Sequence, residues 1–402
     1  MRKHGTRVAI VGGGITGLAL AAALDRAGIA CQVFERASAP GEAGAGLQLA
    51  PNAVRLLHRL GLAEHLARVG VRSTAMELRG WESGKLVGRV PLGALCERRF
   101  GAPYYLLSRP DLHESLVRLL PGGTVRFSAA CVGVERRPGG AELRFSDGTS
   151  VVADIVVGAD GVRSTVRGHL VRDEPRFSGQ TVYRGLVPAG RAPFLGDEPA
   201  SRIWAGPGKH FVCYPVAAGR LVNFVATVPS ADWSRESWSE PGKVQDVVEE
   251  FKDWHATVRG VVEAAGSVTR WALHTRDADF GWSRGNVTLA GDAAHPMLPF
   301  MAQGANQGVE DAFALATCLR QAGPGGIAAA LRRYEEARRP RAALVQRKSG
   351  DLARVLHSPD GLAGPARPAA PPEAPAPDGS GPLPALAWLF EHDAEQVPPV
   401  SG

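Results

Sequence analysis

Five cysteines, Cys31, Cys96, Cys131, Cys213 and Cys318, are all that this chain of 402 residues contains, and no two stand in a CxxC or metal-ligand spacing. That excludes a disulfide scaffold, a dithiol redox centre and a readable metal site, and it suits reduced thiols in a cytoplasmic protein. Blocks of like charge are missing too. Lys and Arg number 46 against 40 Asp and Glu, a net charge of +6 without a basic stretch. So dispersed a surplus argues against nucleic-acid binding and favours anionic small ligands. Long apolar runs are also lacking: Arg2, Lys3 and Arg7 precede an uncharged stretch from Val8 to Leu24 that imitates a secretory signal, but Gly12, Gly13, Gly14 and Gly17 interrupt it. Such glycines make poor membrane-helix material, and no other membrane candidate occurs. What remains is globular in balance, 45% hydrophobic and 21% charged, and long enough for two or three domains at about 150 residues each.

The first stretch reads as a buried strand, Arg7 to Val11, a turn Gly12-Gly13-Gly14-Ile15-Thr16-Gly17, a helix from Leu18 ended by Gly28, and a second strand closing on Glu35. Gly12 permits the tight turn, Gly14 lets backbone approach a pyrophosphate, and Gly17 lets helix and strand pack closely. The helix N-terminus offers N–H groups and partial positive charge to phosphates, and Glu35 is placed to accept ribose hydroxyls. A lone glycine turn would be weak evidence, because structural strand-to-helix turns are common. Strand, glycines, helix, strand and terminal acid in order make a dinucleotide site, and the acid disfavours a 2′-phosphate. They do not separate NAD from FAD.

Two later stretches repeat the buried strand that stops at a turn. Asp154 to Gly158 leads into Asp160-Gly161 and a helix, and Asn286 to Ala290 leads into Gly291-Asp292, His295-Pro296 and Pro299. Gly304, Ala305 and Asn306 then open a long amphipathic helix. No second complete strand–glycine–helix unit follows residue 40, which speaks against a separate nicotinamide domain, and no Ser/His/Asp triad spacing appears.

Taken together these stretches, with Glu35-Arg36, Leu-Ser-Arg109-Pro-Asp-Leu and Gly-Lys-His210-Phe-Val-Cys-Tyr214-Pro, resemble the FAD-dependent aromatic hydroxylases, the single-component flavoprotein monooxygenases, over roughly residues 7 to 350. The resemblance implies an α/β fold in which a Rossmann-like FAD-binding domain is interleaved with a mainly antiparallel β substrate domain, followed by C-terminal helices. It implies FAD as cofactor, NADH or NADPH and O2 as co-substrates, and hydroxylation of a small electron-rich aromatic, a phenolic or amino-substituted acid, through a flavin C4a-hydroperoxide. Gly12, Gly14, Thr16 and Gly17 would then line the FAD phosphates, Glu35 and Arg36 the adenosine ribose, and Arg109 the pyrophosphate side. Asp292 would hold the ribitol or pyrophosphate region, Gly304 to Asn306 the pyrimidine edge, and Asp160-Gly161 both FAD and NAD(P)H. A structural reading stands beside these, with Asp160 as a turn former and Arg109 as a helix flank.

Electrophilic oxygen attacks an electron-rich ring best, so a group that removes a phenolic proton is expected on the substrate side. His210 and Tyr214 are the candidates, because strand alternation puts positions 210, 212 and 214 on one face. Gln48 adds a polar group from the flavin-domain loop, and Pro299, with Pro296, Phe300 and Met301, a stiff apolar wall against water. Arg184 is a secondary candidate, as a partner for a substrate carboxylate or for the flavin, with a strand-edge salt bridge as the structural reading, and His295 reads as a structural histidine.

The domains are expected at 1–75, 101–175 and 276–356 for FAD, and at 76–100 and 176–275 for substrate. Residues 357–385 read as a Pro-rich linker and 386–402 as an anchor that docks back on the body. A small aromatic substrate is the expected partner, with neither nucleic acid nor membrane, and a homodimer stays open. The competing functions are a flavin epoxidase or hydroxylase of a larger polycyclic or isoprenoid substrate, and a reductase-type FAD protein without oxygen insertion.

Overall fold

The computed structural model describes residues 7–41, 46–230, 240–277, 280–322, 326–358 and 383–397. Most of the Pro-rich linker, residues 359–382, lies outside the described residues.

Within the described residues, Val8–Val11 is buried along its whole length and pairs in parallel with Ile155–Gly158 on one side and Cys31–Phe34 on the other. Val287–Leu289 and Val125–Arg126 complete a five-stranded parallel sheet at its two edges. Burial on both faces is what the uninterrupted Val/Ile/Ala runs require. Because the strands are parallel, the carboxyl ends at Val11, Phe34, Gly158 and Leu289 share one edge, where ligands of open α/β sheets bind. Helix Ile15–Arg26 leaves that edge and packs against helix Gly304–Arg320.

A larger sheet of eight strands runs in the order Glu240–Gly242, Val268–Thr275, Arg176–Pro188, Leu221–Pro229, Lys209–Val216, Ala200–Gly206, Ala75–Gly80 and Leu86–Pro91. Its neighbours are antiparallel except Ala200–Gly206 and Ala75–Gly80, which run parallel. One face carries Phe211, Cys213, Phe224 and Ala226, which join Val247, Phe251, Val258 and Val262 in a core of their own beneath helices Val244–Glu250 and Ala256–Glu263. Alternation therefore turns His210, Val212 and Tyr214 to the opposite face, toward the nucleotide-type sheet. The architecture is the interleaved α/β arrangement expected from the sequence.

Helix Ile327–Leu356 closes the body, and the C-terminal segment 383–397 docks on it. Phe390 meets Phe100 edge-on at 5.4 Å and Tyr104 at 6.0 Å, while Arg341 donates to the carbonyls of Trp388 and Leu389 at 3.1 and 2.9 Å. Arg59 adds a bidentate pair to Asp393 at 2.8 and 2.6 Å. The anchor is thus held by carbonyl acceptors and rings together, next to Tyr104. No described helix is long and apolar enough to cross a membrane.

Candidate active site

The first turn is built by close approach. Gly12 has φ +107°, and a Cβ there would collide with the carbonyl oxygen of Ala159; at Gly17 it would collide with the oxygen of Gly12. Only glycine fits either place. Gly14 differs: a Cβ would meet nothing within 4 Å, so no protein atom demands a glycine there. Open space above Gly14, at the start of a helix with no side-chain cap and no acid in its first turn, is the cradle a phosphate would fill. Glu35 accepts from the Gly13 and Ala37 N–H groups at 2.6 and 2.8 Å, which fixes its carboxylate while leaving acceptor positions for ribose hydroxyls. Arg36 beside it is exposed.

Three expected ligand side chains have other occupations. Thr16 packs into a seam that only Gly291 and Gly308 leave room for, locking the first turn to the later motif. Asp160 accepts from Ser164 Oγ and from the N–H groups of Thr165 at 2.8 Å and Val166 at 3.3 Å, so its carboxylate caps helix Thr165–Leu170 in the turn-forming role. Asn306 is fully buried, accepting from Ala50 N–H at 2.8 Å and donating to the oxygens of Gln48 at 3.0 Å and Ala302 at 2.7 Å. Its side chain holds the Gln48 strand, and only its backbone is left for a flavin edge.

Asp292 lies deep in the protein, where desolvation pushes its carboxyl up, yet its side chain is exposed. A group can be both only if it lines an inward recess. Arg109, which opens helix Arg109–Leu119, lies close enough to pull that carboxyl back down. Gly304 and Ala305 are half-buried at the start of helix Gly304–Arg320, which also lacks a side-chain cap and a first-turn acid. A cleft with two uncapped helix N-termini, an inward carboxylate and a glycine cradle fits an elongated dinucleotide.

Behind that helix lies an ionic network that the sequence did not disclose. Arg338, 1% exposed, donates to Glu310, to Asp311 at 2.8 Å and to Gln307 at 2.9 Å. Asp311 also accepts from the Gly291 N–H at 2.8 Å and bonds His295 Nε2 at 2.6 Å. His295 is therefore the structural histidine expected, and the network holds Gly291-Asp292 in place.

The inward face of the large sheet forms three rows. Tyr214 and Asn223 stand opposite each other in one, with Ser201 next in line; Val212, Val225, Ile203 and Arg184 form the middle; His210 and Thr227 form the third. The outer rows are buried, yet the middle row is partly open to solvent. Open space thus lies over a largely apolar strip with polar rows on both sides, each roughly 7 Å from it and so roughly 13 Å from each other along the strands. Arg184 extends over the Trp271 ring at 3.8 Å, and burial pulls its guanidinium down to about 9, still a cation at neutral pH. Gln48 accepts from Tyr104 at 2.8 Å and donates to Ser201 at 3.3 Å.

Burial pushes the Tyr214 hydroxyl up, so it remains a donor and does not serve as a base. His210 moves the other way, well below its ordinary value, and is a neutral imidazole. Its Nδ1 lies 2.7 Å from Nε2 of His357, and Phe300 sits edge-on at 5.2 Å. His357 falls in the stretch whose composition reads as linker, and Trp271, Asn223, Ser201 and Tyr104 stand in no local motif. Pro299 begins a short 3-10 turn with Phe300 and Met301 beside this end of the floor.

An enzyme that holds a dinucleotide cofactor beside a flat apolar floor for a small molecule is the class this cleft defines. The FAD binding domain family matches residues 5–349 of the chain. The 3-amino-4-hydroxybenzoate 2-monooxygenase of Streptomyces platensis is 52% identical over 357 residues, 88% of this chain and 89% of that protein. The 6-hydroxynicotinate 3-monooxygenase of Bordetella bronchiseptica is 37% identical, covering 86% and 91%. A solved salicylate hydroxylase substrate complex superposes with a TM-score of 0.82 at 27% identity, covering 99% of this chain and all of that one. The chain belongs to the FAD-dependent aromatic hydroxylases. It is a flavoprotein monooxygenase that uses FAD, NAD(P)H and O2 to hydroxylate a small electron-rich aromatic compound.

Proposed function

We propose that the substrate is a benzoic acid with a hydroxyl para to the carboxylate and an amino group beside that hydroxyl, as in 3-amino-4-hydroxybenzoate, hydroxylated at ring carbon 2. The observation that carries this reading is the half-open row of Val212, Val225 and Ile203 between two polar rows. The two polar rows, roughly 13 Å apart along the strands, leave room for one ring whose para substituents are about 6 Å apart with a hydrogen bond of about 2.8 Å at each end. The 52% identical relative bears the name of that reaction.

In this arrangement Arg184 and Tyr214 hold the carboxylate, a buried cation and a hydroxyl donor facing one anion. The apolar strip takes the ring face. His210 accepts the ring-hydroxyl proton, which adds electron density to the ring, while the amino group next to carbon 2 directs the attack to that carbon. Bound FAD supplies the oxygen-activating chemistry: one atom of O2 enters the ring, the other leaves as water, and NAD(P)H is oxidised. Glu35 holds its ribose, Gly14 and Arg109 its phosphates, Asp292 the ribitol region, and the backbone of Gly304 and Ala305 the pyrimidine. Phe300 and Pro299 keep water from the reacting face. We take residues 1–75, 101–175 and 276–356 as the nucleotide-binding domain and 76–100 and 176–275 as the substrate domain, with His357 working with the substrate floor. Five thiols without a disulfide among them suit the cytoplasm, and a homodimer is the assembly to test by light scattering.

The test is substrate-stimulated NAD(P)H oxidation. 3-Amino-4-hydroxybenzoate should stimulate it by at least about ten-fold and yield a product one oxygen atom heavier. Stimulation with hydrogen peroxide as the sole product, or hydroxylation confined to a polycyclic compound, would contradict the assignment.

A further inference from the structure

We propose that His357, at the end of the long C-terminal helix, is a positioning residue that makes His210 the acceptor of the substrate's ring-hydroxyl proton by giving that proton a way out. The inference rests on the reading above, that a ring hydroxyl lies at the His210 end of the floor.

The two imidazoles stack at 4.9 Å between centroids and 29° between planes, and Phe300 packs edge-on against both, at 5.2 and 5.6 Å. His210 Nδ1 and His357 Nε2 are 2.7 Å apart, Gln180 Nε2 is 2.8 Å from His357 Nδ1, and Thr227 Oγ1 is 3.4 Å from His210 Nε2. These contacts form one chain from the substrate floor, through His210 and His357, to Gln180. His210 is 3% exposed, whereas His357 is only half-buried, so the chain leads outward.

Two neutral imidazoles at this distance share one hydrogen, so the tautomer of each fixes that of the other. If Gln180 turns its amide oxygen to His357 Nδ1–H, His357 Nε2 accepts from His210 Nδ1–H, and His210 presents a lone pair at Nε2. If instead the Gln180 nitrogen, 2.8 Å from His357 Nδ1, donates to it, His357 carries its hydrogen on Nε2 and His210 carries its own on Nε2. The two arrangements are the states before and after a proton has passed. The substrate O–H bond breaks and His210 Nε2–H forms; the His210 Nδ1 proton moves to His357 Nε2, and the His357 Nδ1 proton leaves to water. The ring keeps the electron pair as an oxyanion, one proton is released, and both histidines end neutral. Burial makes this necessary: an imidazolium at His210 would be a charge deep in an apolar wall, and burial already holds both rings in the neutral form.

His357→Phe preserves the ring stack and removes the relay; His357→Gln restores an acceptor for His210 Nδ1. Oxidised holoenzyme is mixed with 3-amino-4-hydroxybenzoate, or with 4-hydroxybenzoate should the wild type not turn over the first, and the phenolate absorbance is read alongside kcat and KM. We expect His357→Phe to lose the phenolate band and about 100-fold in kcat while KM changes less than about three-fold and FAD stays bound, with His357→Gln in between. Should His357→Phe disturb folding, Gln180→Met tests the outer end of the chain and must weaken the same band. A wild-type band and kcat in His357→Phe, or a rise in KM alone, would overturn the proposal. Failure of the wild type on the aminohydroxybenzoate, with the band intact on 4-hydroxybenzoate, would count against the proposed substrate and not against the relay.

Discussion

Removing Arg338 should destabilise the protein and loosen its grip on FAD through one mechanism. Arg338→Met keeps an apolar stem but strips the guanidinium from two carboxylates that are both 0% exposed, Glu310 and Asp311. Breaking a buried pair from one side costs about 3–5 kcal/mol, because the remaining charge stays desolvated. The lower end applies here. Glu310 keeps Arg341 at 2.7 and 2.8 Å and Asn52 at 2.6 Å, and Asp311 keeps the Gly291 N–H at 2.8 Å and His295 at 2.6 Å. About 3 kcal/mol corresponds to a melting shift of roughly 6 °C at the 2 °C per kcal/mol of larger domains. Circular-dichroism melts at neutral pH would measure it, with flavin fluorescence reporting release, since Asp311 holds the Gly291-Asp292 turn. The sign with pH follows from Glu310, whose carboxyl the Arg338 and Arg341 charges hold down at about 2 against an ordinary 4.5. Its stabilisation is full above pH 4.5 and is lost as pH falls toward 2, so the gap between wild type and Arg338→Met should narrow on acidification. A shift under about 1 °C, or a gap constant down to pH 3, would refute the reasoning.

Other positions separate scaffold from ligand roles. Gly14→Ala should leave the fold and melting temperature of the apoprotein unchanged and lower FAD affinity, whereas Gly12→Ala should yield little folded protein, because its Cβ collides with the Ala159 carbonyl. Asp292→Ala should lose FAD on gel filtration, and full yellow holoenzyme would remove its cofactor role. Tyr214→Phe should raise KM for the aromatic acid by about ten-fold, the worth of one hydrogen bond to a charged group, with FAD retained; an unchanged KM would place the carboxylate elsewhere. His357 is held at about 4 against an ordinary 6.5, so the unfolded chain takes up its proton first. Stability should fall between pH 6.5 and 4 by up to about 3 kcal/mol, and His357→Phe should flatten that slope in acid melts.

What the sequence disclosed was local in the chain. The turn at Gly12 to Gly17 and Glu35 could be read because a tight turn, a close backbone approach and a strand-end acid lie within one unit. His210 and Tyr214 could be placed on one face because alternation along a single strand decides it. What stayed hidden depends on distant partners. Arg338 follows Asp311 by 27 residues on another helix, and nothing near either position tells that they neutralise each other. Asn306 and Asp160 stand in motifs that suggest ligands, yet their side chains were taken by Ala50, Gln48 and Thr165 backbone groups. His357 borders a proline-rich stretch whose composition masked a ring packed on His210.

The most direct test of the account is a reaction of the holoenzyme with NAD(P)H, 3-amino-4-hydroxybenzoate and isotopically heavy dioxygen, followed by mass spectrometry of the product. One heavy oxygen atom should enter the ring for each NAD(P)H consumed. NAD(P)H consumption that leaves the ring unlabelled, with all the heavy oxygen in hydrogen peroxide, would contradict it.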